Sequence, residues 1–462
     1  MALTGYTNVV SVDGVGATVE KGEPNPNVTL QNPSVWYSWT APAVGTANIY
    51  AGGGAVEYFD VFTGTQLNHL RRVVAAGSSL TFEAKAGQVY QIQAMSFYGQ
   101  DFSMHVELAT RPGNDDFTNR FQLEGTIVST NGNTAAATRE PAEPRHNGLR
   151  FGRSVWYSWT APADGWLFVD LTNSPQLLCE PYTGNTIRRL RPANGILLNS
   201  DPFSGVLPVS SGMEYQLAVD GQFYYAKVVH SGPFNLNLEF SGLTLFAPTN
   251  NSVFTGPSQL ELSATDAIPN FDGIINEVTF YASNVISGQE TAIGQSSGPS
   301  FDFVWNNPTN GYFFLQARGT NDQNRVVRSN PSIIAIRPSN DDFANRIVLQ
   351  GADAAFTADF AAATRVKSDP SVAKILNDDF DGATLWWTWT APADGTVALN
   401  CDNWTIAMAV YTGKSDGLKD VMKPCWTSGQ FQAKEGQTYQ ILLSDRYPVT
   451  APSHGNVTLT LQ

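Results

Sequence analysis

Charge is scarce in this sequence: Asp, Glu, Lys and Arg make up 15% of its 462 residues, against roughly 25% in an average globular protein. The 27 basic side chains are outnumbered by 41 acidic ones, the net charge is -14, and no stretch gathers Lys or Arg into a stripe. Without such a stripe there is nothing to release counterions from a phosphate backbone, which argues against nucleic acid as a partner class. Cysteine is scarcer still, with three residues, which rules out a disulfide scaffold or a cysteine-rich zinc module and leaves room for one intramolecular bridge. No run approaches the roughly 20 apolar residues of a membrane span, so membrane insertion is not expected. The opening Met1-Ala2-Leu3-Thr4 lacks the charged and apolar segments of a signal peptide. The five histidines, His69, His105, His146, His230 and His454, stand singly at no spacing that suggests zinc.

What is present is punctuation and repetition. Glycine (40), proline (26) and aromatic residues (11%) separate short polar and β-branched runs, a composition that reads as all-β. The stretch Ser34-Val35-Trp36-Tyr37-Ser38-Trp39-Thr40-Ala41-Pro42-Ala43 returns letter for letter as Ser154 to Ala163 and, edited, as Thr384 to Ala393. As a strand it alternates, with Val35, Tyr37 and Trp39 on one face and Trp36, Ser38 and Thr40 on the other, before Ala-Pro-Ala ends the pairing. This predicts a half-buried strand. Its neighbours recur in constant order. Ala17-Thr18 to Glu23-Pro24 answers to Ala137-Thr138 to Glu143-Pro144, and Phe62-Thr63-Gly64 to Tyr182-Thr183-Gly184 and Tyr411-Thr412-Gly413. Gly87-Gln88-Val89-Tyr90 answers to Gly212 to Tyr215 and to Gly436 to Tyr439. Copy two has gained residues between its YTG turn and Tyr215, expected in a hairpin loop, and copy three has gained residues just before its aromatic strand.

Each period is too long for a solenoid turn, so each copy is expected to be a complete sandwich of about eight strands. Asn114-Asp115-Asp116-Phe117 and Asn340-Asp341-Asp342-Phe343 introduce copies two and three, a leader that copy one lacks; the chain is therefore expected to be part of something longer. Asn and Asp side chains capping the turn into each domain are the expected role of these leaders, a calcium site being the alternative. Residues 243 to 337 have another cadence, with strands at Leu243–Pro248, Gln259–Ala264, Glu277–Tyr281, Phe301–Trp305 and Tyr312–Arg318, and suggest a seven-stranded immunoglobulin-like sandwich. The expected architecture is a tandem array of four β-sandwich domains, jelly-roll-like and Ig-like, at 1–110, 111–242, 243–338 and 339–462.

With leader, AT-x-E-x-x-EP element, SVWYSWTAPA strand, YTG turn and GQ-x-Y strand in that order, the three copies resemble the bacterial pre-peptidase C-terminal-like modules. The intervening stretch resembles Ig-like modules of bacterial secreted and surface proteins. The resemblance implies secreted or cell-surface, non-catalytic accessory domains, some relatives of which bind fibrous protein or polysaccharide and some calcium. Copy three departs from the pattern, since Arg365-Val366 lacks the first Glu of the EP element. The function expected is therefore binding or adhesion, with a polysaccharide or a surface protein as partner and no cofactor required. A structural spacer, or an accessory region of a secreted hydrolase, is the alternative.

Four constellations carry possible chemistry. Gly294-Gln295-Ser296-Ser297-Gly298 fits the G-x-S-x-G pattern of a hydrolase elbow but lies between predicted strands with no helix to follow, and reads as an ordinary loop. Asn377-Asp378-Asp379-Phe380-Asp381-Gly382 fits the first half of a calcium loop, with Asn377, Asp379 and Asp381 as ligands, although position twelve is Thr388 instead of Glu. A solvated acidic turn is the other reading. Trp36, Trp156 and Trp386, opposite the apolar face, either stack on a ligand such as a sugar ring or pack under a loop or a neighbouring domain. Finally, counting without gaps from Trp389 and Gly413, Cys401 and Cys425 answer to Ala51 and Ala76 and to Leu171 and Ile196. Paired apolar counterparts suggest adjacent inward-facing sites. A Cys401–Cys425 disulfide is expected, with Cys179 a buried thiol, the alternative being three reduced core cysteines.

Overall fold

The computed structural model describes residues 1–24, 33–52, 57–96, 101–146, 153–174, 176–200, 203–221, 223–224, 228–229, 231–268, 273–298, 300–372, 382–446 and 453–462. Apart from single 3-10 turns, the regular structure of these residues is β-strand, which makes the protein all-β with tandem sandwiches. The described residues fall into two compact units, Met1–Phe240 and Ser241–Gln462.

In the first unit, the aromatic strand Ser34–Thr40 lies in a five-stranded sheet between a short parallel edge strand, Ala2–Thr4, and the antiparallel Val89–Ser96, followed by Glu57–Thr63 and Arg71–Gly77. Thr7–Val12, Phe102–Thr110, Gly45–Gly52 and Ser79–Ala84 form the second sheet. Val35, Tyr37 and Trp39 point between the sheets, as the alternation predicts. Copy two repeats the plan: Phe121–Leu123 runs parallel to Val155–Thr160, which pairs with Glu214–Gly221, then Leu177–Thr183 and Arg191–Pro192. Its extra residues do more than lengthen a loop. Ile196–Ser200 pairs with Phe203–Val209 and adds a fifth strand to the second sheet, where copy one has four.

In the second unit, copy three follows the same order, Ile347–Leu349, Thr384–Thr390, Thr438–Asp445, Ile406–Thr412 and Lys419–Cys425, against a four-stranded sheet. The stretch before it folds as three strands, Leu243–Ala247, Gln259–Asp266 and Ser300–Asn306, facing a larger sheet centred on Gly311–Asn321. The Gly294–Ser297 segment expected to be a loop is instead the end of the strand Glu290–Ser297, paired with Glu277–Phe280. Its glycine has a packing reason: a Cβ on Gly294 would lie 2.1 Å from the Phe303 ring, which stacks on Phe280 at 5.7 Å. A strand residue paired in register, as Ser296 is with Val278, is not at the strand-to-helix turn that a nucleophile elbow needs.

Two hydrogen bonds per copy recur that single-strand patterning does not disclose. The indole N–H of Trp39, Trp159 and Trp389 reaches the carbonyl of Gly5, Gly125 and Gly351 at 3.2, 2.9 and 2.8 Å, each glycine at positive φ in the turn after the edge strand. The tyrosine of the GQ-x-Y strand turns its hydroxyl back to accept from Lys85 N, Ser210 N and Lys434 N at 2.9, 3.0 and 3.0 Å. Both satisfy polar groups at the ends of the core, where they would otherwise be lost from water.

Candidate functional site

The aromatic strand is half-buried only in copy one. In copies two and three it is buried on both faces, which corrects the expected half-exposed strand. The leader is the reason. Asn114 grips the strand at Trp156, donating from Nδ2 to Trp156 O at 2.9 Å and accepting Trp156 N–H at 2.9 Å; Asn340 does the same to Trp386 at 3.1 and 3.0 Å. Asp115 takes Thr138 N–H at 2.5 Å and the Thr138 hydroxyl at 2.9 Å, and Asp341 takes those of Thr364 at 2.5 and 2.7 Å. Burial holds both carboxyls above the usual aspartate range, against the pull of these bonds. Phe117 and Phe343 then stand edge-on to Trp156 and Trp386, with Arg120 and Arg346 over their outer faces at 4.6 and 4.3 Å.

The EP element closes the other side. Glu143 accepts from Glu140 N at 2.7 Å, from His146 at 2.9 Å and from the Ser154 hydroxyl that opens the aromatic strand. Asp369 accepts from Val366 N at 3.1 Å and Thr384 Oγ1 at 2.6 Å, and Glu23 accepts from Ser34 Oγ at 2.9 Å. This acid, the second of the element, is kept in all three copies. The first, Glu140, receives Phe117 N–H at 2.5 Å, a bond that Val366 has no carboxylate to make. Ser154, His146 and Glu143 are the residue types of a hydrolytic triad, but both Ser154 and His146 bond to the carboxylate, and His146 spends its other nitrogen on Tyr182 Oη at 2.8 Å. All four are buried, which makes the cluster a structural brace with no base placed on a nucleophile.

The expected ligand-binding tryptophans follow from this frame. Trp156 and Trp386 are 0% and 1% exposed, under the leader and beside Tyr182 and Tyr411 of the YTG turn. Neither can meet a ligand, and both indole N–H groups are buried without a partner. Trp36 is half-buried against Phe62 at 5.8 Å and donates to Glu23 Oε1 at 3.1 Å. Of the two readings of these rings, packing under another segment holds for Trp156 and Trp386, because a phenylalanine of the leader occupies the face that alternation leaves open, while Trp36 is half-buried.

The cysteine pairing is corrected as well. Cys179, Cys401 and Cys425 are all free thiols. Cys425 pairs with Met408 in the sheet of the aromatic strand, whereas Cys401 pairs with Val457 in the opposite sheet, so the two are not on adjacent strands. Cys425 Sγ rests over Gly429 and Cys401 Sγ over Gly455. The ungapped count also slips: the register partner of Met408 is Cys425, that of Phe59 is Gly77, and the counterpart of Cys425 is Gly77 in place of Ala76. Ile196 of copy two lies in the other sheet altogether. Burial pushes all three thiols up, Cys179 most.

Asn377, Asp379 and Asp381 of the expected calcium loop lie outside the described residues. Gly382, which is described, has a steric role: a Cβ there would lie 1.7 Å from the Asp445 carbonyl oxygen. Among the described residues no group of three or more His, Cys, Asp or Glu side chains is gathered as a metal site, and no helix is long and apolar enough to cross a membrane.

Surface features differ from copy to copy. Within the first unit, Arg111, Arg139 and Arg153 share a shallow cavity of about 460 Å³ with Val44 and Glu83. In the Ig-like stretch, Arg318 lies 4.5 Å over the Tyr281 ring and ion-pairs with Glu290 at 2.6 Å, beside a cavity of about 470 Å³. In copy three Trp404 stands in solvent, 58% exposed, and no pattern in the sequence set it apart from the other tryptophans.

No family model and no curated protein matches the sequence. Among solved structures, fibronectin(III)-like modules of Clostridium thermocellum CbhA are similar over 21% of this chain and 94% of theirs, at 17% identity and a TM-score of 0.18. The FN1-FN3 domains of chicken CNTN1 are similar over 65% of this chain and 96% of theirs, at 10% identity and a TM-score of 0.17. A DUF4785 family protein of Legionella pneumophila is similar over 70% and 79%, at 10% identity and a TM-score of 0.21. Likenesses this slight carry no argument about function.

Proposed function

We propose that this chain is a non-catalytic, extracellular array of β-sandwich modules of the pre-peptidase C-terminal-like and Ig-like kinds, which binds a polysaccharide or a surface protein. One observation carries the reading: the polar residues that recur between copies, the leader Asn and Asp in two of them and the acid of the EP element in all three, are used up in a buried frame, while the features left on the surface differ from copy to copy. Asn114 and Asn340, Asp115 and Asp341, Glu143 and Asp369 all bond inward, whereas the exposed Trp404 belongs to one copy. A constant scaffold with variable surface is how binding modules acquire ligands. The non-catalytic reading is supported by the regular strand at Gly294–Ser297 and by the bond order of the Glu143 cluster. Retention of the whole chain on insoluble polysaccharides or on purified surface proteins, above an inert sandwich control, is the expected result. Failure to bind any of them would leave the spacer role.

A further inference from the structure

Of the eleven tryptophans in the chain, Trp404 alone is exposed. A single exposed apolar residue is ordinary on a protein surface, and Tyr6, Phe121 and Phe246 are others here; what sets this indole apart is the guanidinium and the second indole beside it. The turn that carries the ring is fixed by hydrogen bonds on both sides of it. Asn403 Oδ1 accepts from Thr405 N at 2.9 Å and Thr405 Oγ1 at 2.8 Å, Asn403 Nδ2 donates to His454 O at 2.8 Å, and Arg446 N donates to Thr405 O at 3.0 Å. That last bond brings the Arg446 side chain alongside. Its guanidinium carbon lies 5.8 Å from the centre of the Trp404 ring and 5.6 Å from that of Trp426, which is half-buried against the cluster around Trp386. One guanidinium thus lies within about 6 Å of two indoles, a cationic fork beside apolar rings. Counted from Trp389, Trp39 and Trp159, the positions answering to Trp404 are Gly54 and Ser174. The frame does not require a tryptophan there.

We infer that Trp404, Arg446 and Trp426 form a carbohydrate site for a neutral pyranose polysaccharide, an assignment that rests on the binding role proposed above and gives it a ligand class. A pyranose ring offers an apolar C–H face to stack on an indole and a rim of hydroxyls to accept from guanidinium N–H groups, of which arginine has five and no acceptor. The chain as a whole carries a net charge of -14, which opposes the approach of a polyanion but not of an uncharged chain.

The test uses the full chain. Retention on insoluble cellulose, chitin and mannan, and tryptophan fluorescence with their soluble oligosaccharides, are compared for wild type, Trp404→Ala, Trp404→Phe and Arg446→Gln, with a pectate and a purified surface protein as separate arms. Binding to at least one neutral polymer is expected, weakened roughly tenfold or more by Trp404→Ala and less by Trp404→Phe, at unchanged melting temperature. Undiminished binding by Trp404→Ala, or binding to pectate or protein alone, would overturn this site and leave the array a binding protein. No binding in any arm would overturn both.

Discussion

Phe117 meets Trp156 edge-on, ring centroids 5.1 Å apart and planes at 84°, and Phe343 meets Trp386 at 4.8 Å and 85°. The same leader residue thus lids the same strand residue in two copies, and in doing so removes that tryptophan from any encounter with a ligand.

Phe117→Ala is expected to destabilise its domain by about 3 kcal/mol, the cost of a buried phenylalanine and the cavity it leaves, since Phe117 is 3% exposed in a cluster with Trp156, Tyr182 and Ala218. Chemical denaturation monitored by tryptophan fluorescence checks this. A change no larger than that of an exposed-site control would show that the leader does not lid the strand.

Stability should rise as the pH is lowered through the raised folded-state values of the buried carboxyls toward their ordinary values of 3.8 and 4.5. Asp115, Asp341, Glu140 and Asp220 all have carboxyls raised by burial above the ordinary values of 3.8 and 4.5. For a carboxyl raised in the folded state, the protonated form is the one folding favours, so its contribution is fully present below the unfolded value and is lost as the pH climbs through the folded one. Melting temperatures across this range should show the trend, and Asp220→Asn should flatten it. Unaltered pH dependence in that variant would exclude Asp220 as a source.

Alkylation of the unfolded, non-reduced protein is expected to modify three cysteines per chain, because Cys401 and Cys425 belong to opposite sheets and Cys179 is buried alone. The melting temperature should not respond to a reductant. Modification of one cysteine, with a mass two hydrogens short, would restore the bridge.

Gly382→Ala is expected to cost about 1–3 kcal/mol, the usual penalty for forcing extra atoms into a filled space, since the new methyl would lie 1.7 Å from Asp445 O, a backbone atom that cannot turn aside. Gly417→Ala, where a Cβ meets nothing within 4 Å, is the control. Equal melting temperatures for the two would contradict the close approach.

Much of this fold was legible in the sequence. The order of the repeats, the strand character of Ser34–Thr40 and the inward face of Val35, Tyr37 and Trp39 all follow from recurrence and a period of two. These are local properties. A two-residue period states which side chains share a face and says nothing of what covers the opposite one. That was decided by contacts far apart in the chain: Phe117 on Trp156, Glu23 on Trp36, and the leader aspartates on Thr138 and Thr364. The cysteines make the same point, since an ungapped count cannot register the strand irregularities between Phe59 and Phe62 and between Met408 and Tyr411, or the extra strand Ile196–Ser200. Trp404 looks like any other tryptophan in the sequence; only the turn at Asn403 and the return of Arg446 to Thr405 leave it standing in water. Periodicity sets the face of a residue, and tertiary packing sets whether that face meets protein or solvent.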